Sequence, residues 1–333
     1  MVVSRPETAH SVPTGSVATA ASLLAGLDHT HPDVSSLRFA TGFQPLDDAL
    51  HGGVQAPDLV VVGGHPGVGK SVAALQWARQ MAMGGHTVVY VDYQHSPTAL
   101  LRRLLAVELA SLARVDERDT LTRVQMLGEE VVLGARPTDA LTADPLGDEA
   151  VHRLGAYGER IHFVAGSSRA TGIVELAGIV SNHRAGPTAL FIDSLHSLAS
   201  ENPIIGNGTL AGESAAALKE LAMVANVPIV ALAATGAAGV GVRRLRMRHL
   251  DGAPALAHEA DVAILLNAKS QIAAASRSDL DPVRTTPSPG RVIFSIEKHR
   301  TGSAGLDLEF RADFANARFD PEGTFVTDTL VAE

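Results

Sequence analysis

Short apolar runs recur along the chain, each closed by glycine, proline or polar residues. Leu59-Val60-Val61-Val62, Ala189-Leu190-Phe191-Ile192 and Ile229-Val230-Ala231-Leu232 are examples, too short for helices and rich in β-branched side chains. The pattern predicts strands over 59–63, 87–92, 160–164, 188–193, 228–233, 261–266 and 291–297. Helical patterning predicts helices over 70–83, 97–113, 172–184 and 210–225. Strands alternating with helices imply an α/β fold with a mostly parallel, twisted sheet flanked by helices. Residues 134–149 and the Pro-containing stretch 268–290 read as flexible loops. No internal repeat interrupts the alternation.

The ends read differently. Residues 1–37 are expected to form a disordered tail plus a short Ala/Leu helix over 16–27, capped by Ser16. Residues 38–319 form the predicted domain, and 320–333 a loosely attached polar tail.

Composition narrows the class. At 333 residues and 46% hydrophobic content, the chain has ample apolar surface for one large domain. Without cysteine it has neither disulfides nor thiolate metal sites, which fits a reducing cytoplasm. No apolar run approaches the ~18 residues of a bilayer span. The stretch 17–25 lacks the basic flank of a signal peptide, so a cytoplasmic location is expected. A net charge of −9 argues against a uniformly basic surface, although a local basic loop still suffices for phosphate contacts.

The strongest chemical signal follows the first predicted strand. Gly64-His65-Pro66-Gly67-Val68-Gly69-Lys70-Ser71 is G-x-x-x-x-G-K-S between a strand and a helix. Glycines let successive N–H groups turn toward phosphate oxygens, and the helix start adds its positive dipole end. Lys70 would neutralise β- and γ-phosphates, and the Ser71 hydroxyl would hold Mg²⁺. The chain is therefore expected to bind ATP with Mg²⁺. Asp193, ending the strand 188–193, is the expected second Mg²⁺ contact; the other reading is a cap on the next turn. Arg243, Arg244, Arg246 and Arg248 form the densest basic cluster, suited to tracking a nucleic-acid backbone or to a subunit contact. His29 and His31 beside Asp33 read as solvated linker residues.

Further stretches carry a family resemblance. Thr41-Gly42-Phe43-Gln44-Pro45-Leu46-Asp47 precedes Pro57-Asp58-Leu59-Val60-Val61-Val62 and the phosphate loop. Leu109-Ala110-Ser111-Leu112-Ala113-Arg114-Val115-Asp116, the Asp193 strand and Asn226-Val227-Pro228-Ile229-Val230-Ala231-Leu232 follow. Ala257-His258-Glu259-Ala260-Asp261-Val262-Ala263 and Glu297-Lys298-His299-Arg300-Thr301-Gly302 complete the series. In this order they resemble the RecA-like motor domain of DnaB-type replicative helicases, over residues 38–319.

The resemblance implies a ring or filament with ATP between subunits. Lys298 and Arg300 match the Lys-x-Arg element that reaches a neighbour's phosphates, and the arginine cluster falls where the family carries a channel-facing loop for single-stranded DNA. The N-terminal collar domain has no counterpart, and residues 16–27 resemble the linker helix that packs on a neighbour. RadA-type relatives usually carry a cysteine zinc module, and KaiC-type relatives usually carry two phosphate-loop domains.

Two departures stand out. Gln94 occupies the position of the family's water-activating glutamate, and a carboxamide cannot accept water's proton; losing a general base typically costs ~10²–10⁴-fold. Asp92, two residues earlier, is a weaker substitute. Ala233-Ala234-Thr235-Gly236 stands where a Ser-Gln pair senses γ-phosphate, and His196 where a glutamine is common. Two functions follow: a DnaB-like motor that binds single-stranded DNA with weak ATP hydrolysis, or a non-hydrolysing protein that ATP assembles.

Overall fold

Val60 and Val62 point into one apolar core, Leu59 and Val61 into another. This alternation marks a central strand covered on both faces. The computed structural model describes residues 19–21, 38–113, 118–183, 186–198, 207–273 and 290–326. Two short strands, Arg38–Phe39 (β1) and Val54–Gln55 (β2), pair with each other. The main sheet comprises Leu59–Gly64 (β3), Thr87–Asp92 (β4), Ile161–Ala165 (β5), Thr188–Asp193 (β6), Ile229–Ala233 (β7), Val262–Ala268 (β8), Arg291–His299 (β9), Leu306–Asp313 (β10), Arg318–Phe319 (β11) and Thr324–Phe325 (β12).

The strands lie in the order β11-β10-β9-β8-β3-β7-β6-β4-β5, with β12 also on β10. From β8 to β5 every pairing is parallel; β9 to β12 extend the sheet antiparallel. The expected mostly parallel α/β sheet is what forms. Gly64, Ala233, Asp193 and Asp92 consequently end on one rim, the side where open α/β sheets bind ligands. One core packs Trp77 of the helix Lys70–Met83 against Phe43, Phe294, Phe310 and Phe319. The other packs Leu218 and Ala222 of the helix Asn207–Ala225 under β3, β6 and β7.

The Thr41–Asp47 motif serves this packing. The Asp47 carboxylate accepts hydrogen bonds from Thr41 N at 2.8 Å, Thr41 Oγ1 at 2.7 Å and Gly42 N at 2.9 Å. It thereby locks the turn that seats Phe43.

Several elements differ from the sequence expectation. The stretch 134–149 is not a loop: it holds the helix Thr138–Thr142 and the start of Pro145–Gly158. Pro145 looks like a breaker but starts a helix, where a missing N–H costs nothing, and Asp144 caps it by accepting Leu146 N at 2.9 Å. The helix Arg118–Leu133 also escapes the pattern. It buries Val124, Leu127 and Val131 with Leu109 and Ala150 in a third, smaller cluster. Residues 320–326 are not loosely attached, because Gln44 N donates to Pro321 O and β12 pairs with β10. Within 268–290, Lys269–Ala273 is helical. Most of the expected 16–27 helix, together with His29, His31 and Asp33, lies outside the described residues. Among the described residues no helix is long and apolar enough to cross a membrane.

Candidate nucleotide site

The phosphate loop follows β3 directly. Gly67 has φ 78° and Gly69 φ 101°, left-handed values that L side chains rarely adopt. Gly64 is required for a different reason: a Cβ there would stand 2.7 Å from Val68 Cγ1 and 2.9 Å from Leu266 O. Gly69 ends the loop as N-cap of the helix Lys70–Met83. Lys70 Nζ donates to Gly64 O at 2.7 Å and His65 O at 3.2 Å, folding the ammonium over the loop. Burial pushes this ammonium down, against the pull of Asp193.

Asp193, at the end of β6, is 8% exposed. Burial pushes its carboxyl up, and Asp92 adds to this; the Ser71 hydroxyl, His95 and Lys70 work in the other direction. Its Oδ2 is buried without a hydrogen-bond partner. An orphaned carboxylate oxygen beside a serine hydroxyl and an under-neutralised lysine is a donor set that fits Mg²⁺ with a polyphosphate. Ser71 and Asp193 would hold the cation, phosphate and water oxygens completing its octahedron. Among the described residues no group of three or more His, Cys, Asp or Glu is placed to hold a metal by itself.

The turn after β4 stands beside β6, with Asp92 opposite Asp193 in register. Asp92 is 1% exposed, and its Oδ1 accepts Gln94 N and His95 N, both at 2.7 Å. Its Oδ2 faces His95 Nδ1 at 3.0 Å. Gln94 is exposed on this turn. With its carboxylate fully engaged, Asp92 is a turn anchor and a poor substitute base.

At the end of β7, Thr235 Oγ1 donates to Gly64 O at 3.2 Å, and His65 Nε2 donates to Val242 O at 2.9 Å. His196 Nδ1 accepts Ala234 N at 3.3 Å, which directs its Nε2 proton toward Asp251 O at 3.4 Å. Burial pushes the His196 imidazole down, so it stays neutral in this role. The phosphate loop is thus tied to the segment that leads into the arginine cluster.

That cluster is bolted to the sheet. Arg244 is buried, donating to Asp307 at 2.6 and 2.7 Å and to Ser295 Oγ at 3.3 Å. Asn267 accepts Leu245 N at 2.7 Å and donates to Leu245 O at 3.1 Å. Glu297, set off by a bulge where β9 meets β8, accepts Arg246 Nη1 at 3.0 Å and Met247 N at 2.8 Å. Arg243 and Arg248 are the exposed members.

Lys298 and Arg300 stand on the far rim. Lys298 pairs with Ala263 at the start of β8, and its Nζ donates to Ala257 O at 2.8 Å. Arg300 bonds Asp261 Oδ1 through Nε at 2.8 Å and donates to His258 O at 3.2 Å. Asp261 in turn accepts Leu59 N at 2.8 Å, at the beginning of β3. The phosphate loop begins at the other end of that strand, about 17 Å away at ~3.3 Å per residue. The structure brings Lys70, Ser71, Asp193 and the Gln94 turn together, and separates Lys298 and Arg300 from them.

Two neighbours of the site are absent from the sequence expectation. His95 stands beside Gln94 without a motif of its own, although an Asp-x-x-His spacing at a strand end is there to be read. Phe314 is 46% exposed, and a Cβ on Gly69 would meet its ring at 2.8 Å. It lies far beyond Gly69 in the chain, and nothing local in the sequence signals that contact.

Comparison with known proteins agrees with this geometry. The AAA domain family matches residues 29–156. The replicative DNA helicase DnaB of Treponema pallidum is 24% identical over 277 residues, 83% of this chain and 54% of the helicase. The DNA repair protein RadA of Aquifex aeolicus is 39% identical over 66 residues, 20% of this chain and 15% of that protein. The chain therefore spans only part of these relatives. Among solved structures, an isolated ATPase domain superposes with a TM-score of 0.66 at 16% identity, covering 86% of this chain and 93% of that one. A DnaB-like replicative helicase, solved in a study of its interactions with primase, also gives 0.66 at 16% identity, covering 91% and 67%.

Proposed function

We propose that this RecA-like ATPase domain of the DnaB type binds Mg²⁺-ATP between neighbouring copies of itself, hydrolyses it weakly and contacts single-stranded DNA. One observation carries the reading: Lys298 and Arg300 sit at the β3 start, too far from their own phosphate loop to serve it. Arg300 is 53% exposed, so its bond to Asp261 holds it loosely and leaves it available to another subunit. Gly64–Ser71 would cradle the phosphates, with Lys70 neutralising charge as water attacks the γ-phosphate in line. Arg243 and Arg248 would meet the DNA backbone, while Arg244 and Arg246 keep the loop in place.

The second reading is a non-hydrolysing protein that ATP assembles. Gln94 and the amide-free Ala233–Gly236 segment favour it. ATP turnover by wild type and Gln94→Glu, with and without single-stranded DNA, decides between them. The motor reading expects slow wild-type turnover that Gln94→Glu raises and DNA stimulates. Turnover at an ordinary helicase rate, unchanged by Gln94→Glu, overturns the weak-hydrolysis proposal. ATP-dependent assembly with neither turnover nor DNA binding establishes the second reading.

A further inference from the structure

We infer that His95, oriented by Asp92, is the general base for the attacking water, in place of the side chain at position 94. This rests on the ATPase reading above. The Gln94 amide can orient water but has no basic lone pair to take its proton. Asp92 is excluded as well, because Oδ1 is held by two backbone N–H groups and Oδ2 by the imidazole. The one basic atom that this turn leaves is His95 Nε2. Asp92 Oδ2, 3.0 Å from Nδ1, keeps the proton on that nitrogen and the lone pair on Nε2. A buried carboxylate fixing the tautomer of a histidine base is a recurrent arrangement for activating an oxygen nucleophile.

Placement supports the role. The His95 side chain is 29% exposed, while Asp92 beneath it is fully buried. The imidazole therefore has a fixed root and an accessible tip. It lies one strand beyond Asp193, close enough to help hold that carboxylate ionised. The charged groups facing it are Asp92 of its own strand and Asp193 of β6. Both favour a proton arriving on the ring.

In the step, the water oxygen bonds to Pγ while the bond from Pγ to the β–γ bridging oxygen breaks. That electron pair leaves with ADP. The water proton passes to Nε2 and then to solvent as products depart.

The test compares wild type, His95→Ala, Asp92→Asn and the double variant Gln94→Glu/His95→Ala, with ATP binding titrated separately using a fluorescent ATP analogue. His95→Ala is expected to lose ~10²-fold in turnover at unchanged ATP affinity, with partial recovery in added imidazole. Asp92→Asn falls less. Gln94→Glu/His95→Ala regains turnover, because a carboxylate replaces the imidazole and the fold is intact. Retained turnover in His95→Ala, a loss matched by weaker ATP binding, or a loss that imidazole does not relieve each overturns the inference. Wild-type turnover no faster than that of Lys70→Ala also overturns it; the ATP-binding reading is then judged on the titration alone.

Discussion

Gly69 meets two demands at once. Its φ of 101° suits glycine alone, and a Cβ would fall 2.6 Å from Phe319 Cζ. Gly69→Ala is therefore expected to destabilise the fold by about 2 kcal/mol and to abolish nucleotide binding, since strain and clash fall on the turn that aims the N–H groups. Chemical denaturation and titration with a fluorescent ATP analogue measure the two effects. Wild-type affinity in the variant would refute the assignment of this turn to phosphate. At this scale the sequence is informative wherever chemistry is contiguous. Gly64–Ser71 spells out a binding loop, and Asp193 ends a visible apolar strand. It is least informative where function depends on distant partners. Arg244 reads like its neighbours, yet Asp307 and Ser295 bury it. His95 reads as a turn residue until the Asp92 carboxylate is seen beneath it.

Among elements, strands are more legible than helices. Fully buried β3, β4, β6 and β7 announce themselves as unbroken apolar runs. The helix Arg118–Leu133 is interrupted by Gly128, where a Cβ would lie 2.3 Å from Asn316 Oδ1. That glycine makes room for a residue nearly two hundred positions away, and costs the local pattern its helical character. The start of β3 carries a separate prediction. Burial and the neighbouring Asp261 carboxylate push Asp58 from 3.8 up to about 6, against the pull of Lys219 and Arg300. A carboxyl raised on folding contributes stability that is complete below pH 3.8 and is lost as pH rises through about 6. Asp58→Asn should match wild type below pH 4 and exceed it above pH 6, by up to about 2 kcal/mol after allowing for partial exposure. Urea unfolding across this range tests the sign; a variant less stable than wild type at pH 8 contradicts it.

For the whole molecule, the separation of Lys298 and Arg300 from the phosphate loop makes a mixing experiment decisive. Lys70→Ala and Arg300→Ala should each be inactive alone. Mixed in equal amounts, they should recover turnover, because about a quarter of randomly formed interfaces join an intact loop to an intact arginine. Failure to recover any turnover, with both variants still assembling, removes the shared site. The same mixture without ATP serves as the assembly control.

The far-rim position of Arg300 also limits symmetry. A two-fold dimer presents one patch to its own copy, and cannot at the same time bring together opposite edges of the same sheet. Joining the β3 start of one chain to the β3 end of the next is a head-to-tail contact, and it repeats. Each addition leaves a fresh donor at one end and a fresh acceptor at the other. Only the rotation between neighbours then decides whether the series closes on itself or grows without limit.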